Sequence, residues 1–443
     1  MAILKVGKAG WGHPYTTITA AIAAANPSDE IWWEAYEPNQ VTQAVYSEPG
    51  MGIFDAGLKV RGMSRGICWG SLVDQGHVPY HLGSMPVKPK HVVTQGEGAT
   101  VQARNVTIEN VESCNGNDWG LTTRPVTLAG DVGRIRWCHV HDFAGNGLSI
   151  AHGNQGDFFV EHNDVHDNAK FSDQHHNAYL TTTGTLWIIG NRSRRVVGEG
   201  HLWKTRAATV YLLHNELTGS IESVQADQHS QVFDMAWGGK LFAVGNVFTK
   251  GVGSLGSYMI KAGAERKHEP PFTSQDALES PEHQHLIPLY TPQYYAFVGN
   301  TFVTRNTLSG GATWNRCHRM DVLRATYGPD DFLFRNNLLV GPVNTQWGAH
   351  VQAVGAPIQG LAFTDEISAF TSKDLSGNLY VAQENALAFR DMTLGDYRLT
   401  AGSAQAIGQA VEVPTDWHGV NLEALMAYEP GRRAGRNYRP VGA

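Results

Sequence analysis

Six segments of this chain end in the same way. FFVEHNDV, LWIIGNRS, VYLLHNEL, LFAVGNVF, YAFVGNTF and FLFRNNLL each carry a short apolar run into an asparagine, at Asn163, Asn191, Asn215, Asn246, Asn300 and Asn337. The first four stand 28, 24 and 31 residues apart, the spacing of stacked solenoid units. One such unit buries a single side and cannot stand alone, whereas a stack shares one continuous core. An asparagine at the same point of every turn can hydrogen-bond to its counterpart in the next. That pairing satisfies amide groups that are costly to bury alone. The pattern predicts a parallel β-helix.

A chain of 443 residues suggests two or three globular domains, but a solenoid grows along one axis and escapes that rule. The net charge of −7 and the lack of a basic run argue against a nucleic-acid partner. No apolar stretch approaches the length that crosses a bilayer, so membrane insertion is not expected. The opening MAILKVGKAGWG lacks the apolar core of a secretion signal. The chain is then expected to act where it is made, to leave by lysis inside a virus particle, or to be a shortened form; an extracellular or virion-associated place is expected. The four scattered cysteines offer neither a disulfide framework nor a zinc site and read as small buried side chains.

Along the chain, residues 1–40 read as an N-terminal cap and first strand. YTTITAAIAAAN (15–26) forms one short amphipathic helix behind a Thr cap. Residues 41–400 read as the β-helix. It is interrupted at 264–293 by a segment rich in Pro, His and mixed charge, expected to be a functional rim or lid. Asn378 marks the last coil, and 401–443 read as a C-terminal cap and tail.

The start, YTTITAAIAAANPSDEIWW (15–33), resembles the opening of pectate-lyase-like right-handed β-helix proteins, with Ser28 where a glycine is usual. DYRLTAGSAQAIG resembles their closing motif. HHNAYL, GHLWKTRAA and Gly238-Gly239 are similar to a bacterial and phage β-helix group, with Thr205 for its serine and Trp237 for its asparagine. The resemblance implies an all-β, right-handed, single-stranded solenoid. It implies less about activity, because lyases, hydrolases, epimerases and viral tail spikes share the fold. The carboxylate motifs of the polygalacturonase-like hydrolases are missing, as are the Trp-Ile-Asp-His and Arg-x-Pro-x-x-Arg motifs of the calcium pectate lyases. A partial likeness to alginate and chondroitin lyases remains at Lys204-Thr205, and it leaves calcium open as a cofactor.

Aligning HNAYLT, GHLWKTR, SQVFDMA, SYMIKAG and RMDVLRA places Ala178, Leu202, Val232, Met259 and Val322 in an inward column. By strand alternation Tyr179, Trp203, Phe233, Ile260 and Leu323 then face outward. Tyr179, Trp203 and Phe233 become an aromatic track, with Lys204, Asp234 and Lys261 as a charged rail beside it. Such a surface suits an acidic polysaccharide: rings stack on sugars, and cations neutralise uronates. The expected catalytic residues are Lys204 as base or carboxylate clamp, Arg206 as clamp, and His176 or His201 with Tyr179 as acid and base. A lysine serves as a base only where burial or neighbouring cations favour its neutral form. Trp203, Phe233, Asp234, Asn177, Lys261 and Glu265 are the expected substrate contacts. HVHDF (139–143) and NDVHDN (163–168) set His141 over His166 and Asp142 over Asp167. That repeat reads as hydrogen-bonded corners, so no metal ligand is assigned.

The favoured reading is a polysaccharide lyase that cleaves an acidic, uronate-containing glycan by β-elimination. The main rival is a phage tail spike or surface protein that binds a glycan without cutting it, for which a homotrimer is expected. A glycoside hydrolase or uronate epimerase on the same fold is the third reading.

Overall fold

The structure, a computed structural model, describes residues 2–34, 105–109, 111–114, 120–123, 129–170, 174–198, 200–219, 230–250, 258–266, 276–304, 330–340, 372–381 and 410–427, with the backbone of further short strands. Asp173, which the sequence sets beside His175-His176 as a candidate functional group, residues 267–275 and most of the closing DYRLTAGSAQAIG motif lie outside these residues.

Each coil from Thr100 to Val340 contributes one strand to each of three sheets. The run from Ala178–Leu180 to Thr185–Ile189 to Arg192–Val196, then on to Trp203–Thr205, is one full turn. Successive coils pair in parallel, Ala178 with Trp203, Trp187 with Tyr211, and Arg192 with Glu216. Among the described residues two sheets have 13 strands and the third has eight. The chain is therefore an all-β, right-handed parallel β-helix. Its interior is a single apolar column that includes Leu186, Val210, Leu241, Phe297 and Phe332.

The asparagines do what their recurrence predicts. Asn163 donates from its backbone N–H and from Nδ2 to Asn191 Oδ1, both at 2.9 Å, and Nδ2 also reaches Ile135 O. The same pattern links Asn191 to Asn215, Asn215 to Asn246, Asn246 to Asn300, Asn300 to Asn337 and Asn337 to Asn378. Each internal amide thus gives three hydrogen bonds to neighbouring coils and takes two, while buried almost completely.

The residue before each asparagine turns the corner at positive φ: His162 at 53°, Gly190 at 61°, His214 at 53° and Gly245 at 67°. Histidine and glycine alternate here for a steric reason. A Cβ on Gly190 would lie 2.5 Å from the His162 ring, and one on Gly245 would lie 2.4 Å from the His214 ring. Each imidazole lies over the corner of the following coil and leaves room there only for glycine.

At the N-terminus the helix runs over Ile18–Ala24, with Thr17 Oγ1 accepting from Ala20 N–H, and buries Ile18, Ala21 and Ile22. Ile3–Val6, within the expected N-terminal cap, is itself a strand and pairs with Glu30–Trp33. The 401–443 tail departs from the expected end cap over its described part. Residues 410–427 run as a strap along the outer face of one 13-stranded sheet. Leu422 packs there with Ile189, Leu213, Val244 and Val298, and Leu425 O lies 3.0 Å from His214 Nε2. The reason is an aromatic ladder on that face: Phe159, Trp187, Tyr211 and Phe242 stack ring on ring. Trp417 closes it edge-on.

Candidate active site

The eight-stranded sheet carries the candidate site. Its outward column runs Ser149, Tyr179, Lys204, Asp234 and Lys261, one residue per coil. This register corrects the expected aromatic track. Tyr179 pairs with Lys204, while Trp203 pairs with Ala178 and Phe233 with Trp203, and both rings point into the core, where neither is exposed at all. Setting HNAYLT against GHLWKTR by sequence is one residue out, and such a slip turns every side chain of a strand to the opposite face. Trp203 and Phe233 are core residues, not sugar platforms. Asn177 is also withdrawn as a substrate contact. It is fully buried, and its Nδ2 donates to Ser193 Oγ and the carbonyls of Arg194 and Arg195.

What remains is a polar cluster centred on Tyr179. On the trailing side of the strands, His152 Nε2 lies 3.1 Å from the Tyr179 hydroxyl and 2.7 Å from Arg206 Nη1. Arg206 grips Glu265 Oε2 through Nε and Nη2 at 3.0 and 2.6 Å, and Lys204 Nζ donates to Glu265 Oε1 at 2.6 Å. The cations also lie over the Tyr179 ring, Lys204 Nζ at 5.8 Å and the Arg206 guanidinium at 5.5 Å from its centroid. On the leading side, His176 and His201 stack at 4.7 Å. His176 Nδ1 accepts the His201 backbone N–H. His201 reaches Ser230 Oγ at 2.6 Å through Nδ1 and Asp234 Oδ2 at 3.2 Å through Nε2. Asp234 is 1% exposed.

The ionisation states follow from burial and neighbours. Burial lowers His152 first and the Arg206 charge lowers it further, to about 4, so this imidazole is neutral near pH 7. Burial, together with the His201, Lys204, His175 and Arg206 charges, holds His176 well below its ordinary value. Burial pushes the Tyr179 phenol well up against the opposing pull of Arg206, so it stays protonated. Burial alone would raise Asp234, but the His201 hydrogen bond and charge, with Lys204 and Lys261, bring it down to about 2. Glu265 is raised by burial and lowered further by Lys204 and Arg206, a net fall.

A wall stands along the trailing side. The insertion after Tyr258–Ala262 returns through residues 276–290 and a 3-10 helix over Gln284–Tyr290. Leu278 and Tyr290 pack with Ala208, Ala236 and Trp237. Tyr290 donates its hydroxyl proton to Arg206 O, and Trp237 donates to Asp276 O.

Sequence reasoning missed His152. It lies in the turn after Leu148–Ile150, in AHGNQG, outside the repeated strand motif. Its relation to Arg206, 54 residues away, exists only once two further coils are stacked. Among the described residues one group of three metal-ligating side chains converges, and it lies on another wall, at His139, Asp164 and His166.

Three parallel sheets wound into one solenoid, with a charged column on the shortest, define a parallel β-helix in architecture. No family model matches the chain, and no curated protein matches it. Among solved structures the chain is similar to a crystal structure of pectate lyase Pel9A. The identity is 12%, the TM-score 0.48, and the match covers 91% of this chain and 90% of that one. A likeness of that size carries neither substrate nor activity to this protein.

Proposed function

We propose that the protein is a polysaccharide lyase that cleaves an acidic, uronate-containing glycan by β-elimination. The observation that carries this reading is a protonated phenol hydrogen-bonded to a neutral imidazole, beside two cations that already share a carboxylate. β-Elimination asks for those parts: cations on the uronate carboxylate to acidify the C5 proton, a base to remove it, and an acid for the departing O4.

In this scheme Arg206 and Lys204 bind the uronate carboxylate at the place Glu265 marks, and the Glu265 side chain swings aside. The role of base passes from Lys204, whose ammonium is committed to carboxylates, to His152. As Arg206 turns onto the uronate it releases the Nε2 lone pair of His152, which takes the C5 proton while the C5–H electron pair becomes the C4=C5 double bond. The C4–O4 bond then breaks, and O4 takes the Tyr179 proton. Transfer from the His152 imidazolium to the Tyr179 phenolate along their hydrogen bond restores both groups. His201 holds Asp234 in the column, and His176 packs beneath Tyr179, their rings edge to face at 5.6 Å.

Incubation with a panel of uronate polysaccharides should produce ultraviolet absorbance from the conjugated unsaturated ester or acid. His152→Ala and Tyr179→Phe should each lower the rate by about 100-fold to 10,000-fold, with unchanged circular dichroism. Binding of acidic glycans with no absorbance change would identify a binder instead. New reducing ends without the chromophore would identify a hydrolase.

A further inference from the structure

We propose that His139, Asp164 and His166 form a binding site for a divalent first-row transition metal, on a wall of the solenoid separate from the groove and independent of it. The three side chains bring ligand atoms within 4.8 Å of one another, and the Nε2 atoms of His139 and His166 are 2.8 Å apart. They come from two adjacent coils: His139 pairs directly with Asp164, and His141 with His166.

The surroundings prepare these groups for a metal. His166 Nδ1 lies 2.7 Å from Asp167 Oδ2. That contact sets the tautomer with the proton on Nδ1 and turns the Nε2 lone pair toward His139, the arrangement that orients metal-binding histidines. Asp167 holds this position only by adopting a φ of 59°, and Asp142 repeats it one coil earlier at 62°, 2.7 Å from His141 Nδ1. Two aspartates at left-handed backbone, each turned onto the preceding histidine, are a strained arrangement repeated on neighbouring coils. Arg195 in turn hydrogen-bonds Asp167. Asp164 is paired with the Arg194 guanidinium. Arg194 Nη2 contacts both of its oxygens, at 3.1 and 2.8 Å. One guanidinium nitrogen on a carboxylate leaves it lone pairs for a further ligand.

The separation of the imidazoles selects the kind of metal. With metal–nitrogen bonds of about 2.1 Å, nitrogens this close subtend roughly 85°, the cis angle of octahedral or square-planar coordination. Nickel(II) and copper(II) fit that angle as the rings stand. Tetrahedral zinc needs them to open by roughly 0.5 Å. Two imidazoles and a carboxylate are also the donor set such borderline ions prefer over calcium or magnesium.

Titration of the full chain with nickel(II) chloride, followed by calorimetry and by the visible absorption of the bound ion, tests the site. One equivalent should bind more tightly than the rest. The double variant His139→Ala/His166→Ala should lose that equivalent while retaining the wild-type circular dichroism. Asp167→Asn, which keeps a residue tolerant of positive φ but removes the carboxylate behind His166, should weaken binding by about 10-fold or more. Equal nickel binding by wild type and the double variant would assign it to the other histidines and overturn the site. If the double variant fails to fold, His139→Gln alone serves: it must lose the tight equivalent. Its retention would also overturn the proposal.

Discussion

At the residue scale, the site is built from groups whose charge is set by burial. His152 is neutral because it is taken out of water beside Arg206. Elimination should therefore show an acid limb near pH 4 in kcat/KM, where His152 gains its proton. A pH–rate profile with its acid limb near 6.5 would belong to an unperturbed histidine and would remove His152 as base. Glu265→Gln removes the internal competitor for Lys204 and Arg206. It should lower KM for a uronate substrate more than it changes kcat, measured on one defined polysaccharide. The corners make a separate prediction. Gly190→Ala must place a methyl 2.5 Å from the His162 ring at a φ of 61°. It should destabilise by about 2–4 kcal/mol, read from the urea midpoint. The same change paired with His162→Gly, which clears the ring, should recover part of that loss.

At the scale of strand and turn, the asparagine ladder is the element that fixes register. Asn215 Oδ1 takes two hydrogen bonds from Asn191, and its Nδ2 donates to Ile188 O and Asn246 Oδ1. Asn215→Leu leaves two buried donors on Asn191 unmatched, each costing about 1–3 kcal/mol. A shift of the urea midpoint corresponding to less than about 1 kcal/mol would mean that the ladder is decorative. This element is fully legible in the sequence, because an amide that follows an apolar run in turn after turn must be buried, and a buried amide needs a partner at the same height. The groove is legible only in part. Tyr179, Lys204, Arg206, Asp234 and Glu265 do come together, yet simple strand alternation puts Trp203 and Phe233 on the wrong face. Both columns of these strands are apolar enough to be core, and hydropathy does not distinguish Ala178 beside Trp203 from Leu202 beside Ala178. Volume complementarity across coils decides it, and that is a property of the stack. His152 is invisible for a related reason: nothing in its own coil marks it, and its partners lie on the two that follow.

At the scale of the whole molecule, the solenoid carries many buried neutral histidines. His152 and His162 are lowered to about 4, mainly by burial, and His176, His201 and His214 are lowered too. In the unfolded chain each takes a proton below about 6.5, while the folded chain resists until far lower. Their contribution is thus intact above about pH 6.5 and is lost as pH falls toward 4, on the order of 3 kcal/mol for His152 alone. Asp164 and Asp234, depressed to about 2, add stability above about pH 4 that disappears only between 4 and 2. Urea midpoints should therefore decline steadily from pH 7 to 4.5. A flat profile over that range would contradict the burial of these imidazoles. The strap has a consequence for how the molecule is made. Leu425 reaches back 211 residues to His214, so the turns it fastens are synthesised long before it. Until those late residues leave the ribosome, the ladder lacks the cover that Trp417 and Leu422 give it, and apolar surface exposed at that stage favours aggregation.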